Sequence, residues 1–142
     1  MTETARVRLE ANEPLPRLDK GVLSQDQFDA YLDVFNRRHV NPIHSDPEYA
    51  RRRGFQDTLA PGVMAVGYLN ELLAKVIGPR FLQGGTLSVN FIGPMYPGNR
   101  IFATGVVREK AVVEGEERVI LEIWCETEEG RKVVAGTATV PI

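Results

Sequence analysis

The chain has 142 residues, 43% hydrophobic and 25% charged, with a formal net charge of −2. That length suits one hydrophobic core, so a single domain over residues 1–142 is expected, with 1–14 as an N-terminal extension. The charge balance gives no reason to expect nucleic acid as a partner. No apolar run approaches the roughly 20 residues that span a bilayer, and no secretory apolar region follows Met1. The lone Cys125 can form neither an intrachain disulfide nor a zinc site, so a cytoplasmic protein without membrane or metal partners is expected.

In chain order, the alternation at Arg6–Leu9 is compatible with a short extra strand, and Pro14 and Pro16 mark an irregular or extended lead-in. A short apolar stretch, Gly21–Leu23, follows. Ser24 and Gln27 have capping-box spacing, which predicts a helix start; Phe28, Tyr31, Leu32 and Phe35 then recur at helical spacing. That helix should fray near Asn36–Arg38, because the residue before Pro42 is biased to extended geometry. Asp46-Pro47 is an N-cap and N1 pair that predicts a short helix from about Pro47 to Arg53, closed by Gly54. Val63–Ile77, the longest apolar stretch, predicts a helix wrapped by other structure and ended by Gly78-Pro79.

From Gly85 the period becomes two. Thr86–Ile92, Arg100–Val113, Glu117–Glu128 and Arg131–Val140 read as strands separated by short turns, implying an antiparallel meander. Cys125 falls in one of these runs and reads as a half-buried core thiol. The whole pattern is α+β, one long helix against a curved antiparallel sheet that wraps it.

The chemistry concentrates in HVNPIHSDPEYA, residues 39–50, which holds both histidines, His39 and His44. Imidazole is the side chain suited to trading protons near neutral pH. Asn41 reads chiefly as a turn former and Asp46 as a helix cap. Arg37, Arg38 and Arg51–Arg53 form the one local basic concentration, either a solvated helix face or a seat for phosphates.

Asn41-Pro42-Ile43-His44, the following Ser45-Asp46-Pro47, and Leu59-Ala60-Pro61-Gly62-Val63-Met64 together resemble the MaoC-like, (R)-specific enoyl-CoA hydratase family. Ser88-Val89-Asn90-Phe91 and Pro97-Gly98 look like that family's sheet strand and the turn after it. The resemblance runs from about Leu23 to Ile142. It implies a hot dog fold, a homodimer or higher homo-oligomer, and hydration or dehydration of an acyl thioester of coenzyme A or a carrier protein. Coenzyme A would enter only as part of the substrate, with no metal or redox cofactor. It further implies His44 as acid–base residue, the Gly62 N–H as oxyanion donor, and substrate contacts at Asn41, Asn70 and Arg38. Three positions depart: Arg38 stands where the family has a small Gly, Asn99 where an Asp often follows the glycine of the later turn, and, most consequentially, His39 where the family carries the Asp that helps activate water. His39 is therefore expected either to replace that Asp or to mark a changed reaction, such as thioester hydrolysis, isomerisation, lyase chemistry through the enolate, or non-catalytic thioester binding.

Overall fold

The computed structural model describes residues 8–142, so part of the Arg6–Leu9 stretch lies outside the described residues, and Arg8 and Leu9 are irregular. Five strands form one antiparallel sheet: β1 (Leu18–Val22), β2 (Thr86–Phe91), β3 (Arg100–Val113), β4 (Glu116–Thr127) and β5 (Lys132–Pro141). Four α-helices accompany them: α1 (Gln25–Val34), α2 (Pro47–Arg52), α3 (Gly62–Val76) and α4 (Pro79–Gly84). A 3₁₀ turn, Pro42–His44, lies between α1 and α2.

Along β4, Val119, Leu121, Ile123 and Cys125 are buried at every second position. This is the one-sided alternation of a half-buried strand. Helix α3 lies against β3 and β4 and inserts Leu69, Leu72, Leu73 and Val76 into the same core. Cys125 Sγ approaches the Ala65 carbonyl at 3.7 Å, which marks how closely helix and sheet meet. Cys125 is thus fully buried rather than half-buried.

The helix punctuation follows the sequence closely. Ser24 and Gln27 make both bonds of the capping box. Asp46 Oδ1 accepts from the amides of Glu48 and Tyr49. Helix α1 does not fray. It ends in a Schellman motif, with Arg37 N–H donating to the Leu32 carbonyl (2.8 Å) and Asn36 N–H to the Asp33 carbonyl (3.1 Å). Asn36, at φ 51°, takes the left-handed position that asparagine tolerates.

Four further features differ from the sequence expectations. Strand β1 went unread because LDKGV has no alternation; it is an edge strand held to β3, and Asp19 pairs with Arg100 across that ladder. Helix α4 also went unread, although Gly78 at φ 88° followed by Pro79 is a helix-start pattern, and it buries Phe81. The strands are not a simple meander: the order is β1-β3-β4-β5-β2, with β2 docked on β5. Gly136 opposite Val89 permits that docking, since a Cβ there would run into the Ser88 carbonyl. Finally, α3 is not wrapped all round: Val63, Gly67 and Asn70 form an exposed stripe, in which Val63 is the one large apolar residue.

Burial pushes the Cys125 thiol up to about 12, so it stays protonated at neutral pH and gains reactivity only on unfolding. Native protein at pH 8 should therefore resist iodoacetamide, and urea-unfolded protein should label fully. Rapid labelling of the native state, read by mass spectrometry, would contradict this packing.

Candidate active site

Because β2 sits at the far edge from β3, the segment joining them must cross the sheet end. There it meets the approach to α3: Ala60 N–H donates to the Met95 carbonyl at 2.8 Å. Together with α1 and the 3₁₀ turn, these segments enclose a cavity of about 690 Å³. Its walls are mainly apolar, with Leu32, Val40, Leu59, Pro61, Phe91 and Met95 among them. Helix α1 and its C-cap share the work: Phe28 is buried in the core, Leu32 is buried and also lines the cavity, and Tyr31 and Phe35, ring centroids 5.4 Å apart, line it too.

His44 ends the 3₁₀ turn and lines this cavity. Its Nδ1 lies 2.8 Å from the Leu59 carbonyl oxygen. A carbonyl only accepts, so Nδ1 carries the proton and donates, and in the neutral ring Nε2 keeps the free lone pair. Asn41 caps the same turn, its Oδ1 accepting from Ile43 N–H at 3.1 Å, and it also lines the cavity. Gly62, the first residue of α3, is a third lining residue. Among the described residues no side chain caps α3, and the first bonded amide is Met64 N–H to the Pro61 carbonyl. Among those residues the amides of Gly62 and Val63 are therefore free donors at the positive end of the helix dipole. The bare Cα of Gly62 also leaves room for a neighbouring ring: a Cβ there would sit 2.8 Å from Cε1 of Phe91, so the ring would have to shift.

The other sequence-derived site residues lie elsewhere. His39 is exposed and is not among the cavity-lining residues. The Val40 N–H to Arg37 carbonyl bond (3.1 Å) closes a turn with Arg38 and His39 at its corners, and the two end residues, Arg37 and Val40, are the ones that line the cavity. Arg38 turns back onto α1, where Nε donates to Asp33 Oδ1 at 2.8 Å. Asn70 lies on the exposed stripe of α3, away from the cavity. Among the described residues no carboxylate lines the cavity, and its one cationic residue is Arg37, which the sequence grouped with its neighbours. The Schellman bond from Arg37 N–H holds that residue at the mouth, a signal visible only once Asn36 is seen in the left-handed region. Phe91 was legible as a strand residue but not as a cavity wall.

The MaoC like domain profile matches residues 24–139 of this sequence. The chain belongs to the MaoC-like domain family. It is 29% identical over 120 residues to an (R)-specific enoyl-CoA hydratase of Rhodospirillum rubrum, covering 82% of this chain and 78% of that protein. It is also 29% identical over 103 residues to a mitochondrial 3-hydroxyacyl-[acyl-carrier-protein] dehydratase of Arabidopsis thaliana, covering 71% of this chain. That match spans 57% of the plant protein's length. Among solved structures, the (R)-hydratase from A. caviae involved in PHA biosynthesis superposes with a TM-score of 0.72 at 24% identity, covering 94% of this chain and 96% of the other. The MaoC-like dehydratase from Rhodospirillum rubrum gives 0.72 at 18% identity, covering 94% and 92%. The fold is the hot dog fold, an α+β arrangement of a curved antiparallel sheet around a central helix.

The ring of Phe91 beside Gly62 is on an exposed side chain, whereas the atom facing Gly136 is backbone. Gly62→Ala should therefore cost less than about 1 kcal/mol in urea unfolding, and Gly136→Ala about 1–3 kcal/mol. Equal losses would mean that the Phe91 ring cannot swing aside.

Proposed function

We propose that the protein is a hydratase or dehydratase of acyl thioesters, of the enoyl-CoA and 3-hydroxyacyl-CoA type, working through His44. The observation that carries this reading is the fixed imidazole. His44 donates Nδ1–H to Leu59, keeps Nε2 for proton transfer, and shares an apolar cavity with the free amide of Gly62. The family membership and the hydratase and dehydratase relatives support it.

In the hydration direction, Nε2 takes a proton from water as the water oxygen bonds to the β-carbon. The π electrons move toward the thioester carbonyl, and the enolate oxygen that develops accepts from Gly62 N–H. The imidazolium then returns a proton to the α-carbon, regenerating neutral His44. Dehydration is the same sequence reversed. Both steps are proton transfers, so the chemistry calls on no metal or redox cofactor, and coenzyme A is only part of the substrate. The apolar walls take the acyl chain, Asn41 orients the head group, and Arg37 at the mouth meets phosphate of coenzyme A or of a carrier's phosphopantetheine arm. His39, at its exposed turn corner, takes no proton in this scheme.

A second reading is favoured by one observation. With no carboxylate among the described residues that line it, the cavity can serve as a non-catalytic thioester-binding site. Crotonyl-CoA decides between the two. Loss of enoyl absorbance is expected, His44→Ala should lower the rate by about a hundredfold or more, and His39→Ala should change it less than about twofold. Tight thioester binding with no absorbance change at any chain length would favour the second reading. Release of free thiol would instead identify a thioesterase.

We further propose that the protein acts in the cytoplasm as a homodimer. Among the described residues no helix is long and apolar enough to cross a membrane. Strand β2 ends the sheet, and Val63, Phe91 and Ile92 near it are 53%, 58% and 56% exposed. Pairing two such edges would extend the sheet and cover apolar surface that is unfavourable in water. Sedimentation equilibrium should give twice the chain mass of 15.8 kDa. A monomer at micromolar concentration would exclude this assembly.

A further inference from the structure

Bonded to the backbone of His44, and not among the cavity-lining residues, is a polar side chain that the proposed reaction does not touch. Gln25, the first residue of α1, reaches from that helix to two separate loops. Its Nε2 donates to Asp29 Oδ1 at 3.0 Å and to the backbone carbonyl of His44 at 2.8 Å. Its Oε1 accepts from Thr58 Oγ1–H at 2.5 Å. The amide orientation follows from chemistry, because two acceptors face one end of the group and only an NH₂ can satisfy both. Thr58 is 1% exposed, so its hydroxyl has no water to fall back on, and its single proton is committed to Gln25.

These bonds act on the imidazole through the next residue in the chain. Leu59 follows Thr58, and its carbonyl is the acceptor for His44 Nδ1–H. Its N–H donates to the Ile43 carbonyl at 3.0 Å. The backbone of His44 and the side chain of Thr58, the residue before the ring's acceptor, are thus fastened to opposite ends of one side chain, Gln25. A loop carbonyl that turned away from Nδ1 would release the ring to exchange tautomers and rotate about χ1 and χ2.

We propose that Gln25 and Thr58 are positioning residues for His44, holding the Leu59 carbonyl so that the proton stays on Nδ1 and the lone pair on Nε2. This rests on the reading of His44 as the acid–base residue, but its physical content, the tautomer, is measurable without turnover.

The test compares Thr58→Val, Thr58→Ser and Gln25→Leu. In ¹⁵N-labelled protein above the imidazole titration, the wild-type His44 ring should show a protonated Nδ1. Thr58→Val and Gln25→Leu should show a mixture of tautomers, and Thr58→Ser should restore the wild-type pattern. With crotonyl-CoA, Thr58→Val should lower kcat about ten- to a hundredfold with little change in KM, Thr58→Ser should recover most of it, and in a His44→Ala background Thr58→Val should have no further effect. Three results would overturn the proposal: an unchanged tautomer in both Thr58→Val and Gln25→Leu, a loss of kcat that Thr58→Ser does not recover, or a loss that persists in full without His44. If Thr58→Val does not fold, Gln25→Leu supplies the same comparison. If the wild-type protein turns over no enoyl thioester, the functional reading fails while the tautomer measurement still decides this one.

Discussion

The site depends on the burial of α3 against the inner face of the sheet. Leu69, Leu72, Leu73 and Val76 leave water along one side of that helix, and β4 supplies the matching row of Val119, Leu121, Ile123 and Cys125. Burial of apolar side chains in this way, at roughly 1.5–3 kcal/mol each, fixes the rotation of the helix about its axis. Rotation in turn decides which residues remain outside. Val63, Gly67 and Asn70 are left exposed, and Gly62 is left at the rim of the cavity with its amide free. A helix terminus placed by a hydrophobic core is a rigid donor, which is what a developing negative charge requires.

The second constraint is the crossing of β2. Since β2 pairs with β5 and β3 lies two strands away from β5, the chain must pass over the end of the sheet before β3 begins. Gly93, Pro94 and Met95 on that passage become a wall of the cavity. The bond between Ala60 and Met95 ties this wall to the approach of α3. Cavity and topology are therefore one feature: a true meander would have joined β2 to β3 by a tight turn and left no such wall.

Much of this was legible in sequence because it is local. Ser24 with Gln27, Asp46 with Pro47, and the alternation through β3, β4 and β5 are short-range patterns whose meaning depends on a few neighbours. The Asn-Pro-Ile-His run announced its turn for the same reason, since proline and an asparagine cap fix that backbone almost alone. The failures were equally physical. Strand β1 is held by ladder bonds and by Asp19 with Arg100, partners 81 residues apart, and nothing in its five residues reports them. Arg37, Arg38 and His39 were indistinguishable as a basic run. A Schellman motif and a turn then sent Arg37 to the cavity, Arg38 to Asp33 and His39 to solvent.

Residue chemistry over a few positions was enough for the caps of α1 and α2, the central helix and the strand periods, and the resemblance to the MaoC-like family singled out His44 with Gly62. The strand order, the membership of the cavity and the state of the His44 ring are set by contacts between distant segments. That ring's proton is placed by a carbonyl 15 residues away, and the carbonyl is braced by a glutamine 33 residues before Thr58. Hydrogen bonds are specified by distance and angle in space, and separation along the chain leaves no trace of them.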